Sequence, residues 1–201
     1  METLKLSKKD INKIIEILNN GGLVAFPTDT VFGLACKMDK ESISRVYEVK
    51  GRDFNKALPV MCNSKEMIER IAYINIDAEK IMERFMPGAI TLVYKKKEEV
   101  EDYVTQGKDT IGIRVPDDEW ILELISKLDH PIMVTSANIS GNGSLLNWES
   151  VYECMKDHIE GIIMEDARGQ MSSTIVDVSS DDIRILREGP ISIDEIRECL
   201  G

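Results

Sequence analysis

The sequence predicts an α/β fold with α+β character, in which helices flank a sheet of mixed parallel and antiparallel strands. Helix-like and strand-like segments are mixed along the whole chain, which is typical of a sheet with helices packed against it. Residues 23–26 are apolar throughout, which favours a central strand buried on both faces. Short steps between strand-like segments at 94–110 and 178–183 favour hairpins, so part of the sheet is expected to be antiparallel.

The first predicted element is an amphipathic helix. Ser7 is a typical N-cap, apolar residues follow at helical spacing as far as Leu18, and the glycines at 21–22 end the segment. The strand at 23–26 follows at once and ends at Pro27, because proline has no N–H to donate to a neighbouring strand. A polar connection then returns the chain to apolar surroundings.

The later elements follow from the same signals. The strand-like segments are rich in β-branched residues, acidic residues stand near the start of helical ones, and glycine or a Pro-Gly pair ends them. In chain order they are a helix ending at Lys50 with Gly51 as its cap, a strand at 58–62, a helix at 77–85, strands at 89–94 and 110–115, a helix at 117–128, a strand at 131–134, a short helix from Asn147 to 156, strands at 161–164, 173–178 and 183–186, and a last helix from Ser192.

Length and composition favour one domain that covers residues 1–201, since no linker or repeat divides the chain. No apolar run approaches the ~20 residues that span a bilayer, and residues 1–9 lack a signal-peptide core, so a cytoplasmic location is expected. Residues 1–100 carry 17 Lys/Arg against 15 Asp/Glu, whereas 101–201 carry 8 against 21. The net charge of −11 repels phosphate backbones, so strong direct RNA binding is not expected.

The cysteines are expected to be buried thiols. Cys36, Cys62, Cys154 and Cys199 are widely separated and form no C-x-x-C pair. Because the chain has only two histidines, a multi-histidine metal site is excluded.

Three polar loops, at 27–30, 50–56 and 135–143, interrupt the predicted strands and form the candidate site, because ligands of α/β sheets bind beyond strand ends. Lys50 and Arg52 flank a helix end, where cations complement the helix dipole. Alternatively, Arg52 grips a phosphate with two parallel N–H bonds while the lysines act as point charges.

Arg114 places a guanidinium group inside an apolar strand. Burying this charge costs free energy unless the group pairs with an anion. That anion is either an internal carboxylate or a ligand. The sequence contains no P-loop, no Gly-x-Gly-x-x-Gly and no Gly-x-Ser-x-Gly, so the commonest nucleotide cradles and a hydrolase elbow are excluded.

Seven short motifs follow one another over most of the chain. They are PTDTVFGL (27–34), KGR (50–52), PGAITL (87–92), IGIRVP (111–116), TSANISG (135–141), STIVD (173–177) and LREG (186–189). In this order they resemble the YrdC-like family of threonylcarbamoyl-AMP synthases, in the short form without an extra C-terminal domain. The resemblance implies a twisted mixed sheet flanked by helices around a large concave, positively lined cavity.

The resemblance also implies a nucleotidyltransferase reaction. L-threonine, bicarbonate or carbon dioxide, and ATP would give threonylcarbamoyl-adenylate and pyrophosphate, the first step towards threonylcarbamoyladenosine in tRNA. Mg²⁺ would arrive with ATP, without a tightly bound protein metal site. The expected partner is a downstream tRNA threonylcarbamoyl transferase complex, and no membrane is involved.

The family's functional residues carry over by position. The resemblance gives catalytic roles to Lys50 and Arg52. Its ATP contacts fall on Arg52, Lys56, Thr110, Asn138, Arg187 and, through the backbone, Leu146. Its threonine contacts fall on Thr30, Met61, Arg114, Ser136 and Ser173.

Three positions depart from the family pattern. Asp53 follows Arg52 where proline is usual, Ala57 replaces the proline before Leu58, and Met61 stands where many members have histidine. These departures favour an alternative, a paralogue that binds nucleotide or RNA without making the adenylate. A second alternative is the carbamoyl-transfer module of hydrogenase-maturation proteins, which the cysteine spacing disfavours.

Overall fold

A computed structural model describes residues 2–201 and contains strands and helices in mixed order. The strands are β1 (Leu4–Leu6), β2 (Val24–Phe26), β3 (Gly33–Lys37), β4 (Val60–Met61), β5 (Ala72–Tyr73), β6 (Ile90–Lys96), β7 (Thr110–Arg114), β8 (Ile132–Ser136), β9 (Gly161–Ile163), β10 (Thr174–Asp177) and β11 (Arg184–Arg187). The helices are α1 (Ile11–Asn19), α2 (Lys40–Lys50), α3 (Lys65–Glu69), α4 (Ile76–Phe85), α5 (Asp102–Thr105), α6 (Glu119–Leu128), α7 (Trp148–Met155) and α8 (Ile193–Leu200).

The strands form one mixed sheet, as predicted. Its order is β1-β9-β2-β3-β8-β4-β7-β6-β10-β11, and β5 pairs with β6 beside this path. The pairs β1–β9, β9–β2, β4–β7 and β6–β10 are parallel, and the remaining pairs are antiparallel. Both expected hairpins are confirmed, since β6 pairs antiparallel with β7 and β10 with β11.

Several elements were not predicted, namely β1, β3, β5, α3 and α5. In β1 only the last of three residues is buried, so the sequence shows no clear alternation, and its partner strand β9 is distant in the chain. The helix expected from Ser7 is split: a 3₁₀ turn covers Lys8–Asp10, and α1 begins at Ile11. The Ser7 N–H donates to the Asp10 carboxylate at 2.8 Å and stabilises this turn.

The core lies on both faces of the central strands. All three residues of β2 are fully buried, which confirms the central strand expected there. From α6, Ile121, Leu124 and Ile125 are also fully buried, and Trp120 contacts Phe26 edge-to-face at 5.6 Å. Each large apolar side chain buried in this way contributes about 1.5–3 kcal/mol.

Helix α2 fixes the position of the cations at its C-terminal end. The Asp39 carboxylate accepts the Ser42 N–H at 2.8 Å and caps its start. Gly51 ends it in the left-handed conformation, with φ of 55°, as the sequence predicted. Tyr47, fully buried, donates from its hydroxyl to the Lys56 carbonyl at 3.0 Å. The helix end and the loop that follows it are therefore tied together.

All four cysteines are free thiols. Cys36 and Cys62 are buried as expected, and burial raises the pKa of Cys62 to about 12. The expectation of buried thiols is wrong for Cys154 and Cys199, which are partly exposed because their helices pack with only one face inward. Within residues 2–201, no helix has the length and apolar character needed to cross a membrane.

Candidate functional site

A cavity of about 380 Å³ opens where the polar loops meet the central strands. Nine of the residues that the resemblance singled out line it: Thr30, Arg52, Lys56, Met61, Thr110, Arg114, Ser136, Ser173 and Arg187. The other three, Lys50, Asn138 and Leu146, are not among the lining residues. The structure thus brings most of the predicted residues around one space, and their individual roles stay predictions.

Strand β7 supplies one wall of the cavity through alternate residues. Thr110, Gly112 and Arg114 all line it, as expected for side chains that share one face of a strand. Lys108 continues the same alternation two residues before the strand begins and lines the cavity too. The sequence analysis did not identify Lys108. Side chains on one face of a strand recur every two residues, and this alternation, extended backwards from Thr110, indicates Lys108.

Arg114 is buried and already holds an internal carboxylate. Its guanidinium donates to Asp29 Oδ2 at 2.6 Å, to Thr30 Oγ1 at 2.7 Å and to the Gly88 carbonyl at 2.9 Å. Burial lowers the pKa of Arg114, and the negative charge of Asp29 opposes this shift. Of the two anions that the sequence left open, the internal carboxylate is present, and two of the five N–H groups are left for a ligand.

The turn that carries Asp29 and Thr30 is held by its own hydroxyl groups and by a distant segment. Thr28 Oγ1 accepts the Thr30 N–H at 3.0 Å and donates to the Val31 carbonyl at 2.7 Å. Gly169 packs against this turn so closely that a Cβ there would lie 2.4 Å from the Thr30 carbonyl oxygen. Only glycine allows this approach, and sequence reasoning did not identify the position.

Ser173 and Arg187, predicted to contact different substrates, contact each other. The Arg187 guanidinium donates twice to the Ser173 carbonyl, at 3.0 and 2.7 Å, and once to its hydroxyl at 3.2 Å. The Ser173 hydroxyl also lies 2.8 Å from the hydroxyl of Thr91, which is buried and lines the cavity. These bonds hold β6, β10 and β11 in register beside the cavity.

Five cationic side chains line the cavity of this protein of net charge −11, namely Arg52, Lys56, Lys108, Arg114 and Arg187. Partial burial, and then the positive charges of Arg114 and Arg52, lower the pKa of Arg187, so both of these guanidinium groups act on Arg187. Among residues 2–201, no Asp or Glu lines the cavity. Arg114 is paired with Asp29, whereas no carboxylate among the described residues lies within 4 Å of the other cavity cations, which favours an anionic ligand.

The loop after α2 takes its shape from Arg52. Its guanidinium donates to the carbonyls of Lys56 at 3.0 Å and Ala57 at 3.2 Å. Asp53, the departure that placed a negative charge beside this arginine, is exposed and accepts the Asn55 N–H at 2.9 Å. Asp53 therefore stabilises the loop from its outer side and does not line the cavity.

Lys50 points into the protein and holds the loop after β8. Its fully buried ammonium group donates to the Ser136 carbonyl, to the Asn138 carbonyl at 2.7 Å and to Asn138 Oδ1 at 3.2 Å. Burial, and the charge of Arg52, lower the pKa of Lys50 to about 8, so the ammonium form still predominates at neutral pH. This geometry favours a positioning role for Lys50 over the direct contact with triphosphate that the sequence predicted.

Asn138 and Leu146 are likewise engaged within the protein. The Asn138 side-chain amide donates to the Asn142 carbonyl at 2.6 Å, and its Oδ1 accepts from the Ser136 hydroxyl at 2.5 Å. The Leu146 carbonyl accepts the Ala167 N–H at 2.8 Å. Their predicted contacts with ATP stay predictions.

Replacing Lys50 with methionine is expected to lower stability. The buried Asn138 carbonyl loses its donor, and the Ser136 carbonyl and Asn138 Oδ1 each lose one of two donors. Unsatisfied buried groups cost about 1–3 kcal/mol, roughly 2–4 °C in Tm per kcal/mol for a chain of this size. Thermal unfolding followed by circular dichroism measures this change, with the exposed Lys40→Met variant as control. An unchanged Tm for Lys50→Met would contradict the positioning role.

Comparison with known proteins decides the family. Residues 16–189 match the Sua5/YciO/YrdC family model, which carries the description "Telomere recombination". The chain belongs to the Sua5/YciO/YrdC family. Membership confirms the resemblance found in the motifs.

Relatives in this family differ in length. A Methanocaldococcus jannaschii relative is 34% identical over 97% of this chain and 95% of its own length. The Threonylcarbamoyl-AMP synthase of Pyrococcus abyssi is 37% identical over 92% of this chain, which spans 55% of that protein. The crystal structure of P. abyssi Sua5 complexed with L-threonine superposes on all of this chain and 60% of its own, with a TM-score of 0.92 at 35% identity. This agreement confirms the expected fold.

Proposed function

We propose that the protein is an L-threonylcarbamoyl-AMP synthase that consumes L-threonine, bicarbonate or carbon dioxide, and ATP. The observation that carries the proposal is the cavity itself, which Arg52, Arg114 and Arg187 line and which, among residues 2–201, no carboxylate lines. The charges of Arg52 and Arg114 both act on Arg187. The P. abyssi relative with the same fold is complexed with L-threonine, which supports an amino-acid substrate. The proposed class is a nucleotidyltransferase.

The proposed amino-acid subsite lies at the Arg114 end of the cavity. The two remaining N–H groups of Arg114 would bind the carboxylate of threonine, and the hydroxyls of Thr30, Ser136 and Ser173 would accept or donate the other hydrogen bonds. Met61 is buried in the wall where many members have histidine, and it offers an apolar contact rather than a hydrogen bond.

The proposed reaction needs positioning and charge neutralisation, not a protein nucleophile. The neutral threonine nitrogen bonds to the carbon of carbon dioxide, one C=O π bond gives its electrons to oxygen, and the nitrogen releases a proton to water, which gives a carbamate. When bicarbonate is the source, it takes up one proton and releases water to give the carbon dioxide. A carbamate oxygen then attacks the α-phosphorus, the bond from that phosphorus to the bridging oxygen breaks, and pyrophosphate leaves. Arg52, Lys56 and Arg187 would stabilise the charge that develops on the phosphates.

Mg²⁺ is proposed to enter with ATP. Because no carboxylate lines the cavity among the described residues, the phosphates and water would supply most of its oxygen ligands. The product is proposed to pass to a separate tRNA threonylcarbamoyl transferase complex in the cytoplasm.

Mass spectrometry of the pure protein tests the proposal. Incubation with ATP, Mg²⁺, bicarbonate and L-threonine is expected to give threonylcarbamoyl-adenylate, with stoichiometric pyrophosphate and no product when any substrate is left out. ATP binding without product would contradict the proposal. That result would favour the paralogue that binds nucleotide without making the adenylate, and would direct attention to Met61.

A further inference from the structure

Lys108 is a cation on the cavity wall to which no motif assigns a role. It is exposed, and its position two residues before Thr110 places it on the same face as Thr110, Gly112 and Arg114. Six residues of extended chain span at most about 20 Å, so Lys108 and Arg114 mark opposite ends of one wall.

The backbone that carries Lys108 is held firmly. Gln106 and Gly107 both adopt left-handed conformations, with φ of 55° and 74°, and the Gly107 N–H donates to the Asp102 carbonyl at 2.9 Å. Thr105, itself buried, donates from its hydroxyl to the Lys108 carbonyl at 2.7 Å. The next carbonyl, that of Asp109, accepts the Lys96 N–H at 2.9 Å. The turn therefore presents a flexible side chain from a fixed point.

Lys108 lacks the carboxylate partner that most cations of this acidic chain have. Among the described residues, most Lys and Arg side chains, Lys96 nearby included, lie within 4 Å of a carboxylate. Lys108 has no such partner in residues 2–201, and neither do Arg52, Lys56 and Arg187, which also line the cavity. A lysine left without a carboxylate beside three other cavity cations indicates a site for a polyanion.

We propose that Lys108 binds the terminal phosphates of the nucleoside triphosphate and the pyrophosphate that leaves. The inference rests on the proposed function, which puts the amino acid at Arg114 and the reacting phosphorus next to it. The two outer phosphates then extend along β7 towards Lys108. An ammonium group is a point charge with three donors on a flexible stem. It therefore suits binding to a mobile leaving group better than it suits binding to a carboxylate held in one orientation.

Calorimetric titration of the full chain with ATP, AMP and inorganic pyrophosphate, without threonine, tests Lys108→Gln. We expect affinity for ATP and pyrophosphate to fall about tenfold, a change of ~1.4 kcal/mol, while affinity for AMP stays the same. The control is Lys40→Gln, which removes an exposed lysine at the start of α2, away from the cavity, and should leave all three affinities unchanged.

Two results would overturn the inference. One is unchanged binding of ATP and pyrophosphate by Lys108→Gln. The other is an equal loss for AMP and ATP, which would place Lys108 at the nucleoside. Because the titration needs no turnover, a protein that makes no adenylate but still loses ATP affinity in this variant would refute the proposed function and leave the role of Lys108 intact.

Discussion

Replacing Arg114 with glutamine is expected to abolish adenylate formation and to lower the free energy of unfolding by about 3–5 kcal/mol. The activity should be lost because the N–H groups proposed to bind the carboxylate disappear. The stability should fall because Asp29, whose side chain is 11% exposed, loses its counterion at 2.6 Å. Its Oδ1 is already buried without a hydrogen-bond partner, and without Arg114 its Oδ2 would keep only the Asp117 N–H at 3.1 Å.

A double variant separates the two effects. In Asp29→Asn/Arg114→Gln no buried charge is left alone, so most of the lost stability should return while activity stays absent. Urea unfolding followed by fluorescence gives the stability, and mass spectrometry gives the product. Equal destabilisation of the single and double variants would show that the ion pair is not the source of the loss. An active Arg114→Gln variant would remove Arg114 from the mechanism.

Replacing Arg52 with alanine is expected to reduce adenylate formation on the order of 10²–10³-fold while the fold stays intact. Arg52 faces the cavity from a solvent-exposed loop, and the hydrogen bonds it would lose are to two loop carbonyls near the surface. Tm should therefore change by less than about 2 °C.

Initial rates of pyrophosphate release, measured beside thermal unfolding, check the expectation for Arg52. Arg70→Ala is the matched control, since it removes an exposed arginine that pairs only loosely with Asp129, at 3.9 Å, and does not line the cavity. The role of Arg52 is refuted if Arg52→Ala keeps near-normal rates. A large fall in its Tm would instead assign this arginine to the integrity of the loop.

Much of the fold follows from local signals in the sequence. Gly51 ends α2 because a left-handed residue is needed there, and proline after residue 26 ends β2. Two strands that escaped prediction, β1 and β5, have three and two residues and exist through pairing with other strands. Their stability comes from tertiary contacts, which cannot be predicted from the local propensity of the residues.

The sequence was sufficient to predict which residues form the site, but not the directions in which their side chains point. The motifs gathered the right residue types, yet the acceptors of the Lys50 ammonium are more than 80 residues away in the chain, at 136 and 138. The carboxylate that meets Arg114 belongs to Asp29, equally distant. Whether a buried cation serves a ligand or the protein depends on these long-range partners, and a single sequence does not display them.

The position of β9 between β1 and β2 has a consequence for how the chain is made on the ribosome. The first two strands emerge early, but the strand that joins them ends at residue 163. At about 5–20 residues per second, roughly 7–30 s separate the appearance of β2 from that of β9. Throughout this interval the nascent sheet has an open edge at β2, where pairing with another chain is possible. Binding by a chaperone during translation would protect this edge until β9 has emerged.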